Sequence, residues 1–116
     1  MKDILKFRNR EETIFYRVYY QNLEGRTIPE LLAELRKKGD FTSPYHIIVS
    51  RDGDINEMRP LEAVAGSDLE YNELGIHVLV DAVDTNGMTR IQKLSLGDAL
   101  DEIKKIYPHI ERFSDD

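Results

Sequence analysis

The sequence predicts an α/β fold: a single domain of 116 residues built on one mixed central β-sheet flanked by helices. Three observations predict it. Segments with the two-residue period of strands alternate with segments of helical period, the order expected of sheet and helix packed in layers. Turn pairs such as Asp52-Gly53 and Asn86-Gly87 punctuate the boundaries. The length suits one modest core and no second one.

Residues 1–12 are charged and weakly patterned and read as an entry arm. Thr13–Tyr20 is aromatic and β-branched and predicts a strand. Alternation puts Ile14, Tyr16, Val18 and Tyr20 on one face and Phe15, Arg17 and Tyr19 on the other. After a turn at 22–26, Thr27 and Glu30 have the spacing of a capping box, with Pro29 in the first helical turn, where proline is tolerated. Ile28, Leu31, Leu32 and Leu35 form the expected buried stripe, and Gly39 the stop. Tyr45–Ser50 predicts a strand, Arg51–Asp54 a tight turn and Asp54–Met58 the hairpin partner. Residues 62–73 read as loop with one helical turn at most. Gly75–Val83 is the most apolar strand and is expected at the sheet centre. The last helix is expected to open at Ser95-x-x-Asp98, to bury Leu96, Ala99, Leu100, Ile103 and Tyr107, and to end at Pro108. Residues 109–116 remain as a truncated tail.

Composition narrows the function classes. Apolar residues make up 41% and charged residues 33%, an ordinary globular balance. The longest apolar run, Ile76 to Val83, is broken by His77 and Asp81 and is too short to span a bilayer, so no membrane partner is expected. Met1–Lys6 has no apolar stretch of signal-peptide type, which makes a cytoplasmic location the expectation. With a formal charge of −6 and no basic stretch beyond Arg36-Lys37-Lys38, the chain lacks the cationic footprint of a nucleic-acid binder. The absence of cysteine removes disulfides, thiolate nucleophiles and cysteine-containing zinc sites. No nucleophile elbow or glycine-rich phosphate loop is present.

Several segments, in order, carry a more specific signal: Thr13–Val18, Ile28–Lys38, Tyr45-His46, Arg51-Asp52-Gly53, Arg59 to Asp68, Asn72 to Val78, and Leu96 to Pro108. This string resembles the zinc-dependent N-acetylmuramoyl-L-alanine amidases of the phage-lysozyme and peptidoglycan-recognition superfamily, over nearly the whole chain. The resemblance implies the mixed sheet with flanking helices. In active members it implies a zinc ion on three protein ligands, cutting between N-acetylmuramic acid and L-alanine. It also implies where the site residues should stand. Arg17 falls where the first zinc histidine belongs, Glu111 falls at the second ligand, and the third ligand and a neighbouring lysine have no counterpart. Tyr45 matches a tyrosine that steadies the tetrahedral intermediate, and Asp68 stands where a substrate-contacting histidine is usual.

Alternatives stay open at these positions. Arg17 and Glu111 are expected either to pair as a bidentate salt bridge in place of the metal, or to be an exposed arginine and a solvated tail. In a third reading Arg17 offers a fixed positive charge on the floor of the groove to a carboxylate or phosphate. His46 and His77 are expected as core-edge or groove-lining imidazoles, with convergence on His109 around a new zinc ion as the alternative. Of Tyr16, Tyr19, Tyr20, Tyr45 and Tyr71, only Tyr45 is retained for the groove, since strand aromatics mostly pack. Asp98, Asp101 and Glu102 read as a solvated helix face.

The expected function is a catalytically inactive amidase-like domain, a pseudoenzyme of phage or mobile-element type. It would bind a protein partner or a peptidoglycan-like or anionic small ligand, with no cofactor. Tyr45 is the vestigial catalytic residue, and Arg17, His46, Asp68, Asn72, His77 and Glu111 are the candidate binding residues. The alternatives are an active amidase with displaced zinc ligands, and an assembly role through self-association.

Overall fold

The computed structural model describes residues 7–113, so the first six residues of the entry arm and the last three of the tail lie outside the described residues. The elements are β1 (Phe15–Gln21), α1 (Ile28–Lys37), β2 (Ile47–Val49), β3 (Ile55–Glu57), β4 (Gly75–Asp81), a 3₁₀ turn (Thr85–Gly87), α2 (Arg90–Ile106) and β5 (Glu111–Arg112). They form a five-stranded sheet in the order β3-β2-β4-β1-β5. The β2–β3 hairpin is antiparallel, and β2–β4, β4–β1 and β1–β5 are parallel. β4 lies at the centre, as its apolar run predicts, and all of its residues are buried. A strand covered by layers on both faces requires that. No helix among the described residues is long and apolar enough to cross a membrane.

The alternation of β1 separates two cores. Tyr16 and Val18 join Ile47, Val49, Ile76, Val78 and Val80 beneath Leu96, Leu100 and Ile103 of α2. On the opposite face, Ile48 and Leu79 pack with Leu23, and Tyr19, Tyr45 and Ile28 and Leu31 of α1 lean on them. Ile14 lies just before β1 and is 49% exposed.

Four expectations are corrected. α2 opens at Arg90, well before Ser95. Thr89 caps it, accepting from the Gln92 amide while the Gln92 side chain accepts from the Thr89 amide. Gln92 is fully buried and donates to the Asp81 carbonyl at 2.9 Å, tying the helix start to the end of β4. A polar residue at a core position hid this first turn from apolar periodicity. α1 has the predicted capping box and stops before Gly39 at φ +93, yet none of its residues is buried. Ile28 and Leu31 cover the sheet only in part, and Leu31 and Leu35 line one wall of a cleft. The segment after Pro108, expected as a truncated tail, instead adds β5 parallel to β1. The visible part of the entry arm is also ordered by pairing, with an Asn9–Ala63 bridge and an Arg10 amide bonded to the Glu62 carbonyl.

Candidate functional site

The site is built on the sheet face that α2 does not cover. Parallel register sets Arg17 of β1 beside His77 of β4 and sets Glu111 of β5 beside Phe15. Two residues further along, Phe113 is the β5-side neighbour of Arg17. The Arg17 guanidinium lies over the Phe113 ring at 4.3 Å and the Tyr19 ring at 4.9 Å, cation–π distances. Its Nη1 reaches Glu70 Oε1 at 3.5 Å. The expected Arg17–Glu111 bridge does not form, because the register holds the exposed Glu111 two residues short of Arg17.

His46 and His77 lie under this floor, both fully buried. The His77 backbone amide donates to His46 Nδ1 at 3.1 Å, and His46 Nε2 lies 2.6 Å from the Ala63 carbonyl. That arrangement requires a neutral ring protonated at Nε2. The Tyr19 hydroxyl bonds to His77 Nδ1 at 2.7 Å, while His77 Nε2 is buried without a hydrogen-bond partner among the described residues. The two rings stack at 6.1 Å and 15°. Burial pushes both imidazoles down to about 4; nearby carbonyls oppose the shift, and the cations Arg10 and, for His77, Arg17 deepen it. His109 is exposed beyond α2. Among the described residues, no three His, Cys, Asp or Glu side chains gather as metal ligands would.

Beside the floor, a cleft of about 510 Å³ opens between α1 and the loops holding Tyr45 and Asp68. Gly66 makes that loop pair possible: its amide bonds to the Pro44 carbonyl at 2.9 Å, and a Cβ there would lie 2.3 Å from Pro44 Cβ. Arg59 braces the same two segments, donating to the Ser43 carbonyl at 2.8 Å and the Val64 carbonyl at 3.0 Å. The Tyr45 ring packs 5.1 Å from Tyr19. Burial and then Asp68 push the Tyr45 phenol above its ordinary pKa, against the pull of Arg17, so it is a protonated hydrogen-bond donor at neutral pH. Lys38 and Arg59 face Asp40 and Asp68 around the walls, while Arg26 and Glu34 pair at 2.7 Å.

Of the residues expected from sequence, Arg17, Tyr45 and His77 share this face, Asp68 closes the cleft wall, and His46 supports from below. Asn72 is part of the scaffold: it exchanges bonds with Ala65, its Nδ2 donating at 3.2 Å and its carbonyl accepting at 3.1 Å. Glu111 stays at the sheet edge. Tyr19 and Tyr71, set aside with the packing aromatics, line the Arg17 environment, Tyr71 through its 5.7 Å contact with Phe113. Sequence reading also missed Arg10, whose guanidinium donates to the Ala63 carbonyl and lies 3.0 Å from His46 Nε2. It missed Phe113 as well. A lone arginine in a charged arm and an aromatic in a tail carry no local signal of burial.

No family model matches the sequence, and no curated protein matches it. Solved structures do. The chain superposes on the N-acetylmuramoyl-L-alanine amidase LysC from Clostridium intestinale URNW with a TM-score of 0.72 at 18% identity, covering 90% of this chain and 70% of that one. It matches the ectodomain complex of the peptidoglycan recognition proteins LCa and LCx, solved with tracheal cytotoxin bound, at 0.73 and 14% identity, over 93% and 74% of the two chains. It also matches the endolysin of the Thermus scotoductus bacteriophage Ph2119 at 0.68 and 19% identity, over 91% and 74%. The five-stranded mixed sheet with its flanking helices is therefore the fold that these amidases, endolysins and peptidoglycan recognition proteins share.

Proposed function

We propose that this chain is a catalytically inert amidase-fold domain that acts by binding a peptidoglycan-like or other anionic small ligand in the cleft beside Tyr45. One observation carries the reading: a guanidinium clasped between Tyr19 and Phe113 stands where the resemblance calls for the first zinc histidine. Catalytic zinc needs three protein ligands and one open position. A guanidinium has no lone pair to give and repels a dication at short range, so the residues present do not fit the metal. The Tyr45 hydroxyl can donate a hydrogen bond to a bound ligand but cannot by itself bring a water pKa near neutrality. Binding asks less of the fold, and the recognition-protein complex solved with tracheal cytotoxin supports small-ligand binding as its use. The bacteriophage endolysin among the similar structures favours a phage or mobile-element setting.

The test is metal analysis of natively purified protein, run beside release of peptides from isolated peptidoglycan. The expected result is zinc far below one ion per chain and no hydrolysis. One zinc per chain with chelator-sensitive cleavage would overturn the reading in favour of an active amidase.

A further inference from the structure

We propose that a second cavity, floored by Asp81, binds a primary ammonium group on an apolar stem, as a lysine side chain or a free alkylamine carries. The cavity, of about 420 Å³, lies between the first turn of α1 and the β2–β3 hairpin. It shares Leu23 and Arg26 with the larger cleft, but neither Tyr45 nor Asp68 lines it, so the inference stands apart from the reading of that cleft.

Asp81 carries the argument. It closes β4 on the face of Leu79, since strand residues two apart point the same way, and that is the face that packs with Leu23. Its backbone carbonyl is taken by Gln92 Nε2, so what it offers the cavity is its carboxylate. The residue is 5% exposed. Oδ1 accepts from the Leu23 amide at 2.9 Å, and no ion pair reaches the carboxylate among the described residues. A carboxylate drawn out of water needs a counter-charge or a full set of donors, and one amide supplies neither. The arginine nearest in the wall is committed elsewhere: Arg26 donates to the Leu23 carbonyl at 2.9 Å and to Glu34 at 2.7 Å. Arg51, also at this cavity, is exposed and makes no ion pair among the described residues. The N-terminus of α1, whose partial charge would suit an anion, is already closed by the Thr27–Glu30 capping box.

The walls select among cations. Leu23, Ile28 and Pro29 give apolar surface for an alkyl stem. Asn56 supplies a second acceptor: its Nδ2 donates to the Ile48 carbonyl and the Ser50 hydroxyl, and its Oδ1 accepts from no group among the described residues. Asp52 and Asp54 add negative potential at the rim. These carboxylates do not gather as metal ligands would, and a calcium ion asks for six or more oxygens. A guanidinium fork is best matched by two open carboxylate oxygens, whereas Oδ1 is engaged by Leu23; a single open oxygen suits the point charge of an ammonium.

The experiment is an NMR titration of the full chain with Nα-acetyl-L-lysine methylamide and, separately, with its norleucine and arginine counterparts and with n-butylammonium. The amides of Leu23, Ile28 and Asn56 are followed in native protein and in Asp81→Asn. That substitution removes the charge and keeps an oxygen to accept from the Leu23 amide. Saturable shifts are expected with the lysine compound, at least about tenfold weaker binding of the norleucine compound, and a loss of similar size in Asp81→Asn. The arginine compound is expected to bind more weakly than the lysine compound. Affinity for n-butylammonium equal to that for the lysine compound would assign the site to a free alkylamine, and weaker binding to a lysine residue. Equal shifts for lysine and norleucine compounds, or no saturable shift, would overturn the site in native protein alone, whatever the variant does. Unchanged affinity in folded Asp81→Asn would overturn the role of Asp81, and displacement of the lysine compound by millimolar calcium would replace the ammonium site with a metal site. Zinc content and peptidoglycan cleavage, which test the larger cleft, are untouched by any of these results.

Discussion

Two imidazoles buried side by side make the stability of this fold depend on pH in a definite direction. His46 and His77 are held down to about 4, against an ordinary value of 6.5, because burial penalises their charged forms. The unfolded chain therefore binds more protons than the folded one between those values. Stability is full above pH 6.5, declines as pH falls toward 4 and levels off below, by on the order of 1 kcal/mol per pH unit for each ring. Glu30, whose carboxylate is lowered by its Thr27 hydrogen bonds, adds acid sensitivity mainly below this window. Urea melts at pH 7.5, 6.0 and 5.0 should show the fall; equal midpoints would contradict the neutral buried pair. Arg10 is the second case at this scale. Its guanidinium spans Thr13, Ala63 and Tyr107, joining the arm to the loop and to the end of α2. Arg10→Met should lower stability by roughly 1–3 kcal/mol, the range for hydrogen bonds to a charged group, and thermal melts would read it.

Helix ends and loop contacts decide the next level. With Thr89 as the cap of α2, Thr89→Ala should cost about 1 kcal/mol, while Ser95→Ala, in the helix body, should stay within about 0.5 kcal/mol of the parent. Equal losses in chemical denaturation would return the helix start to Ser95. Gly66 is a contact point between loops, where any Cβ meets both the Cα and the Cβ of Pro44. Gly66→Ala should destabilise by roughly 1–3 kcal/mol as an overpacking change. Because Pro44 carries Tyr45 and Gly66 lies two residues before Asp68, the same change should weaken cleft binding. A variant with full affinity and a lowered melting temperature would separate the two roles. α1 shows the reverse situation: a well-capped helix with a half-covered stripe, whose uncovered side forms a wall of the cleft.

At the scale of the whole molecule, the open face of the sheet is filled by side chains of this chain. In the centre of the open face, a cation on two aromatic rings and a pair of neutral imidazoles occupy the space between β1, β4 and the segment after β5. Folding is therefore expected to be independent of divalent ions, since only a ligand that binds the native state can raise apparent stability. Thermal melts with and without excess EDTA should superimpose; a drop of several degrees on chelation would reveal a resident metal.

Much of this architecture was legible in the sequence because it is written locally. Alternation in Phe15–Gln21 sorts two cores, the Thr27–Glu30 spacing caps α1, and the mostly apolar run of β4, broken only by His77 and Asp81, places it in the middle. These patterns depend on neighbours along the chain. What only the tertiary structure decided depends on neighbours across it. A one-strand register choice put Phe113, and not Glu111, against Arg17. Gln92 reads as a surface residue until the Asp81 carbonyl is above it, and Arg10 as a solvated charge until Ala63 and Tyr107 close around it. Burial of a polar side chain is a property of the partner that satisfies it, and that partner lies up to 97 residues away.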